Sequence, residues 1–330
     1  MEETASRIQW GIMGTGWIAE KFAADLKYVN NGSLAACGSR TDDSARRFGE
    51  RFDIPRTYGS YEELVQDPAL DAIYVATPHP LHKDNVLLAL RAGKAVLCEK
   101  PFTMNSRELE EVIQTARDHK LFLMEGMWTR FLPPIVQARQ WIADGRIGEV
   151  RMLKAEFGFR TEMNPEHRLF KPELGGGALL DAGIYPVSFA SMVLGSAPSN
   201  LSSTVHFCET GVDDQFTLLL EYEDGKSASL SSATRLALTN DAVIYGTEGR
   251  IRIPGFFNAR EAFLYEGNQQ TEAYQDDRVS DGYAFEAEEV GRCLMNGALE
   301  SAVMPLDESL AIMKLLDGVR EQWGLQYEVE

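Results

Sequence analysis

Lys100 lies in the run Glu99-Lys100-Pro101, directly after a short apolar segment, Ala95 to Glu99, that reads as a buried strand. An ammonium group at the end of such a strand is rarely buried without purpose, because its charge is costly to take out of water. Pro101 fixes the backbone just after it. An exposed Glu99–Lys100 pair, worth little in stability, is the plain alternative. Further along, three glycines, Gly175 to Gly177, open the run Ala178-Leu179-Leu180-Asp181-Ala182-Gly183-Ile184-Tyr185-Pro186. Asp181 and Tyr185 are four apart and share one face of a helix. Pro186 is expected to disturb that helix just after Tyr185. A core tyrosine and a capping aspartate are the plain alternatives here. Free tyrosine titrates near ~10, too high for a good base at neutral pH. A neighbouring ammonium favours the phenolate. A lysine set beside a tyrosine can thus take a proton from an alcohol and stabilise the developing alkoxide, but the spacing of Lys100, Asp181 and Tyr185 does not by itself bring them together.

A second constellation points to a bound dinucleotide. The run Gly14-Thr15-Gly16-Trp17-Ile18-Ala19 follows an apolar strand, Ile8 to Met13, and opens a helix. Gly14 permits the tight turn, Gly16 lets the backbone approach a pyrophosphate, and Ala19 is small enough for close helix–strand packing. The free N–H groups and positive dipole end of the helix suit phosphates. At the end of the next strand stand Ser39 and Arg40, where an acidic residue would mark NAD. An arginine there suits a 2′-phosphate, which favours NADP over NAD, although Asp42 and Asp43 follow closely as candidate ribose partners. Thr77, His79 and His82 lie in Thr77-Pro78-His79-Pro80-Leu81-His82, again at the carboxyl end of a strand, where open α/β sheets bind ligands; His82, and similarly His79, reads either as a cofactor contact or as a histidine at a helix start.

The elements that position these residues alternate in the first third of the chain. Ile8 to Met13, Leu34 to Ser39, Ala72 to Thr77, Ala95 to Glu99 and Leu121 to Met124 read as strands buried on both faces, separated by amphipathic stretches near 17–28, 42–52, 60–66, 80–92 and 105–119. That alternation predicts a parallel sheet with helices on both faces. After about residue 126 the pattern changes. Val150 to Phe159, Phe216 to Tyr222, Ser227 to Ser232, Ala242 to Tyr245 and Arg250 to Ile253 read as strands joined by turns such as Glu223-Asp224-Gly225, with helices at 133–144, 178–194, 282–296 and 306–323. The predicted fold is α/β: a Rossmann domain over 1–126, then an α+β domain over 127–330 with a largely antiparallel open sheet.

Composition narrows the partners. The formal net charge of −18 repels phosphate backbones and anionic lipids, so neither nucleic acid nor a membrane surface is expected. No secretory signal is visible, and no apolar run approaches bilayer-spanning length. The four cysteines, Cys37, Cys98, Cys208 and Cys293, are scattered without a CxxC pair, which argues against a metal site or disulfides and fits a reducing cytoplasm.

The runs GTGWIA, TPHPLH, VLCEKP, MEGMWTRF and GGGALLDAGIY occur in this order, with ETGVDD at 209–214, YGTEG at 245–249 and a Gly282-Tyr283-x-x-Glu286 stretch. Together they resemble the glucose-fructose oxidoreductase/inositol dehydrogenase (Gfo/Idh/MocA) family, above all its dimeric dihydrodiol dehydrogenase/NADP-dependent D-xylose dehydrogenase branch. The resemblance implies an NAD(P)-dependent oxidoreductase acting on a hydroxyl or carbonyl of a sugar, polyol or related cyclic alcohol. It places Lys100 at the nicotinamide and substrate and Asp181 near the substrate. Tyr185 takes the acid/base role where many members carry histidine, and Trp128 and Phe157 form aromatic pocket walls. The implied cofactor-binding set is Gly14, Gly16, Trp17, Ile18, Ser39, Arg40, Thr77, His79, His82, Glu99, Lys100 and Trp128. The implied substrate set is Trp128, Phe157, Asp181, Tyr185 and Tyr283. Arg130, Arg160, Arg168 and Lys171 are further cations expected to line the cleft and suited to an anionic substrate group. The resemblance assigns the second domain to substrate binding and dimerisation through its open sheet, and so implies a homodimer or higher homo-oligomer. A catalytically silent NADP-binding regulator and an NAD-dependent glycoside hydrolase of the same fold are the competing readings.

Overall fold

A computed structural model describes residues 7–327. The chain divides into two compact units, Met1–Trp128 with Arg278–Ser309, and Thr129–Asp277 with Leu310–Glu330.

The first unit runs β1 (Ile8–Met13), α1 (Trp17–Leu26), β2 (Gly32–Gly38), α2 (Asp42–Phe52), β3 (Arg56–Tyr58), α3 (Tyr61–Gln66), β4 (Ala72–Val75), α4 (His82–Arg91), β5 (Ala95–Glu99), α5 (Ser106–His119) and β6 (Leu123–Gly126). Its six strands are all parallel, in the order β3-β2-β1-β4-β5-β6. This is the doubly wound Rossmann arrangement, with the order reversing between β1 and β4. β4 and β5 are buried at every position, as continuous apolar runs require in a sheet covered on both faces. Local capping fixes most of the helices. Thr41 accepts from the Ser44 N–H at α2, Ser60 from the Glu63 N–H at α3, and Asn105 from the Glu108 N–H at α5. α1 differs, since its cap, Gly16, has no side chain to offer.

The second unit begins with α6 (Pro133–Ala143) and β7 (Val150–Gly158). A π-helical turn, Leu179–Gly183, runs into α7 (Ile184–Leu194), followed by β8 (Asn200–Phe207), β9 (Asp213–Glu221), β10 (Ser227–Ala233), β11 (Ala242–Gly246), β12 (Gly249–Ile253), β13 (Glu261–Glu266) and β14 (Gln269–Gln275). The eight strands form one sheet in the order β14-β13-β12-β11-β7-β10-β9-β8, antiparallel except for the β7–β10 pair. α7 packs on β7 and β10. α8 (Tyr283–Met295) follows, and α9 (Leu306–Trp323) carries the chain back into the second unit.

Four expectations need correction. The border expected at 126/127 assigns 282–296 to the second domain, whereas Arg278–Ser309 packs with the first unit, α8 lying against α1 and β2. Pro186 does not disturb the helix. It sits in the first turn of α7, where its missing N–H costs little, and the irregularity is the π turn before it. By length and composition, the helical stretch Pro172–Leu194 is apolar enough to cross a membrane, contrary to the expectation that none is; 83% of its most apolar window is buried inside the protein. Finally, β3, β8, β13 and β14 were not anticipated. The four cysteines are free and buried.

Candidate active site

In the first unit every candidate residue before α8 lies at or beyond a strand's carboxyl end, or in the helix that follows. Gly14 has φ +109°, and a Cβ there would meet the Ala76 carbonyl oxygen at 2.8 Å, so only glycine fits this turn. Gly16 is the opposite case. Its φ is −82°, and a Cβ there would meet nothing within 4 Å, so the protein itself does not require glycine. A side chain would, however, fill the space beside an uncapped helix start. A backbone left bare at the head of α1 fits the pyrophosphate of a dinucleotide. Trp17 begins α1 and is 68% exposed, with the Lys21 ammonium 5.7 Å from its ring centre. Ile18 is half-buried. The Thr15 and Ser39 hydroxyls lie 3.2 Å apart and tie the glycine turn to the end of β2.

Arg40 follows Ser39, is exposed, and has no ion-pair partner among the described residues. Arg46 is 2.8 Å from Asp43, and Arg47 also pairs with Asp43. Asp43 is therefore engaged by two arginines, while Arg40 stays available to an anion.

The next two strand ends are joined by His82. It is fully buried, with Nε2 2.7 Å from the Thr77 carbonyl oxygen and Nδ1 2.8 Å from the Pro101 carbonyl oxygen. Asn85 donates to the Thr77 hydroxyl at 2.9 Å. Both ring nitrogens of His82 thus face backbone carbonyl oxygens, and the neutral ring donates to one of them. His82 also begins α4, as one of its two sequence readings has it, and it faces the Thr77 and Lys100-Pro101 turns together. Burial lowers its pKa, against the raising effect of the carbonyls. His79 is half-buried, its ring 5.8 Å from that of His82. Lys100 is half-buried, and the peptide bond to Pro101 is cis. Glu99 is buried and accepts a hydrogen bond from the Tyr74 hydroxyl.

α8 contributes the last candidate residue of the first unit. The Asp25 carboxylate, on α1, accepts from the backbone N–H groups of Asp281, Gly282 and Tyr283 at 3.0, 2.7 and 2.8 Å. It thereby caps α8 from another helix. Tyr283, the first residue of α8, stacks on Trp128 with ring centres 4.6 Å apart and planes 22° apart. Both rings are buried. Burial and the carboxylates around it push the Tyr283 phenol well up.

In the second unit Tyr185 sits in an aromatic cluster. Phe157 and Phe257 stack at 4.2 Å, and Tyr185 meets both edge-on, at 5.5 and 4.8 Å. Phe257 was not singled out from the sequence. It lies in an irregular 3-10 turn with no periodic signal, and its backbone carbonyl accepts from the Thr129 hydroxyl at 3.1 Å. Asp181, in the π turn, is buried and pairs with Arg168 at 2.8 Å, while the arginine side chain stays 55% exposed. Arg130 is otherwise placed than expected. It is buried and donates to the Ser188 hydroxyl and carbonyl at 2.9 and 2.8 Å, a structural role. Lys171 pairs with Glu166 at 3.0 Å. The head of the π turn is held by Asp213, which accepts from the Leu179 N–H at 2.7 Å; burial pushes its carboxyl up to about 7.

Residues 8–127 match the model of an oxidoreductase family with an NAD-binding Rossmann fold, and residues 135–252 that of the GFO/IDH/MocA C-terminal domain. The chain is 39% identical over 328 residues to trans-1,2-dihydrobenzene-1,2-diol dehydrogenase of Xenopus laevis, covering 97% of this chain and 99% of that one. This chain belongs to the GFO/IDH/MocA oxidoreductase family. The Homo sapiens trans-1,2-dihydrobenzene-1,2-diol dehydrogenase is 37% identical over 97% of this chain and 98% of its own. Among solved structures, KijD10, a 3-ketoreductase from Actinomadura kijaniata in complex with NADP and TDP-benzene, superposes with a TM-score of 0.83 at 28% identity, over 96% of this chain and 98% of that one. An aldose-aldose oxidoreductase from Caulobacter crescentus shares the fold, with a TM-score of 0.88 at 23% identity over 97% and 98% of the two chains. The family member described here is an NAD(P)-dependent oxidoreductase with a Rossmann cofactor domain.

Proposed function

We propose that this oxidoreductase is a dehydrogenase/reductase of a CH–OH centre in a sugar, polyol or related cyclic alcohol, using NADP in preference to NAD. The observation that carries the reading is the presence of Lys100 and Tyr185 in a chain that matches trans-dihydrodiol dehydrogenases almost end to end. The nicotinamide supplies the hydride acceptor or donor when bound. In the oxidative direction Tyr185 takes the hydroxyl proton and Lys100 stabilises the oxygen as its negative charge develops. In the reductive direction the same tyrosine returns a proton to the carbonyl oxygen. Lys100 also favours the phenolate, which makes Tyr185 a competent base nearer neutral pH. Phe157 and Phe257 exclude water from the phenol, and Asp181 with Arg168 offers a fixed polar pair for a substrate hydroxyl. Gly14, Gly16, Trp17 and Ile18 hold the pyrophosphate, Ser39 and Arg40 the 2′-phosphate, and Thr77, His79, Glu99 and Trp128 the nicotinamide half. Arg40 supports the preference for NADP, being exposed and without an ion pair among the described residues.

A homodimer joined through the open face of the eight-stranded sheet belongs to the same proposal. Leu219, exposed on β9, is the kind of residue such a face would cover. Light scattering on the eluted protein decides it, and a monomer at all concentrations removes that part.

A panel of aldoses, inositols and trans-dihydrodiols, each with NAD and NADP and followed at the nicotinamide absorbance band, tests the activity. A net, substrate-dependent absorbance change with at least one class is expected, larger with NADP. Cofactor binding without any net change across the panel would favour a silent regulator.

A further inference from the structure

Glu286 lies one turn into α8, three residues after Tyr283, and is fully buried. Neither of its carboxyl oxygens has a hydrogen-bond partner among the described residues. A carboxyl in that state is costly, and an unsatisfied buried group of this kind calls for a reason. The titratable groups acting on it and on its neighbours come from every side: Glu99 on β5, Asp25 on α1, Tyr74 on β4, and Tyr283 on α8 itself. None of these is a cation. Asp281, the next acid along, is held by Lys21 at 2.8 Å.

The neighbours are already committed. Asp25 accepts three backbone N–H groups, and Glu99 accepts from the Tyr74 hydroxyl. Donors of that kind favour an ionised acceptor, and Glu286 has none. Carboxyls that share one dry space do not all ionise. The proton therefore resides on Glu286, whose titration burial and the Glu99 charge push well above the ordinary carboxylate range.

We propose that Glu286 is a positioning residue for the reaction, acting through Glu99 at the end of β5 and Tyr283 at the head of α8. The proposal rests on the reading of Lys100, Trp128 and Tyr283 as site residues. While Glu286 is uncharged, the head of α8 stays packed and Tyr283 keeps its stack on Trp128. Once it ionises, a further negative charge is buried beside Glu99 and Asp25, and the first turn of α8 must yield. Tyr283 then leaves its stack, and the Glu99–Lys100 strand end loses its register. Turnover falls on the alkaline side as a result.

The test compares full-length wild type, Glu286→Gln and Glu286→Ala, measuring kcat and KM from neutral to alkaline pH. The glutamine keeps the shape without the charge. It is expected to hold kcat within about twofold of wild type at neutral pH and to move the alkaline fall in kcat upward by at least about one pH unit. The alanine leaves a cavity and lowers kcat at every pH. Glutamine failing at neutral pH as badly as alanine overturns the proposal, and so does an unchanged alkaline fall. If the wild type turns over no substrate, the functional reading fails separately. Glu286 is then judged by the near-ultraviolet circular dichroism of the Tyr283–Trp128 stack. The proposal expects an alkaline change in wild type that Glu286→Gln lacks, and identical spectra across pH overturn it.

Discussion

The turns at Gly14, Thr77 and Pro101 in the first unit are fixed at backbone groups, whereas the residues around Tyr185 in the second unit are fixed by side chains. Around Gly14, Thr77 and Pro101 the groups that fix position are peptide groups: a left-handed glycine against the Ala76 carbonyl, and His82 between two carbonyl oxygens. Around Tyr185 they are rings and carboxylates: Phe157 and Phe257 against the phenol, Arg168 on Asp181, and Asp213 at the head of the π turn. Backbone constraints suit a ligand whose shape is always the same, such as a dinucleotide. Side-chain constraints can be exchanged one residue at a time without disturbing the sheet, which suits a substrate that differs between relatives.

Substitutions that separate binding from chemistry sharpen the contrast. Lys100→Met removes both the electrostatic stabilisation and the activation of tyrosine, so a loss of about 10³-fold or more in kcat is expected with cofactor binding retained. Calorimetric titration of NADP beside steady-state assays checks it, and full activity would sink the assignment. Tyr185→Phe keeps the aromatic cluster and loses only the hydroxyl, so kcat should fall by about 10²-fold to 10³-fold with little change in cofactor affinity. A residual activity whose pH profile matches wild type would make Lys100 itself the acid/base.

Arg40→Ala acts only on the first unit. Loss of a charge-assisted contact to a 2′-phosphate should raise the KM for NADP by about 10- to 100-fold and leave that for NAD nearly unchanged. Equal effects on both cofactors would show that Arg40 does not discriminate between them. The last expected effect concerns stability in the second unit. The Asp213 carboxyl, raised to about 7 in the fold, keeps a proton there that the unfolded chain gives up near ~4. Its contribution is complete below the unfolded value and is lost as pH rises to about 7, at up to ~1.4 kcal/mol per pH unit. Urea unfolding across that window should show the slope in wild type and a flatter one in Asp213→Asn.

The same contrast governs what could be read from the residues alone. Strands buried on both faces announce themselves as apolar runs, and β1, β4 and β5 were legible to within two residues. Gly14 and Gly16 were legible because a tight turn and a phosphate each demand a bare backbone. β8 and β14 were not, because Asn200–Phe207 is mostly hydroxyl and polar side chains and Gln269–Gln275 is an exposed edge with almost no buried position. The membership of α8 in the first unit depends on Asp25, some 250 residues away in the chain, and no local pattern carries that distance. For the same reason the sequence leaves His82 open between cofactor contact and helix start, while the fold shows it starting α4 and facing two strand-end turns. Lys100, Asp181 and Tyr185 were singled out from residue type and resemblance, but Phe257 and the Arg168–Asp181 pair needed the tertiary structure.

The most direct measurement follows one hydrogen. A substrate from the responsive class, carrying deuterium at the reacting carbon, is incubated with enzyme and NADP, and the reduced cofactor is examined by mass spectrometry. The account predicts one deuterium in the reduced cofactor for each carbonyl formed. Substrate cleaved or altered while the cofactor ends oxidised and unlabelled would contradict it.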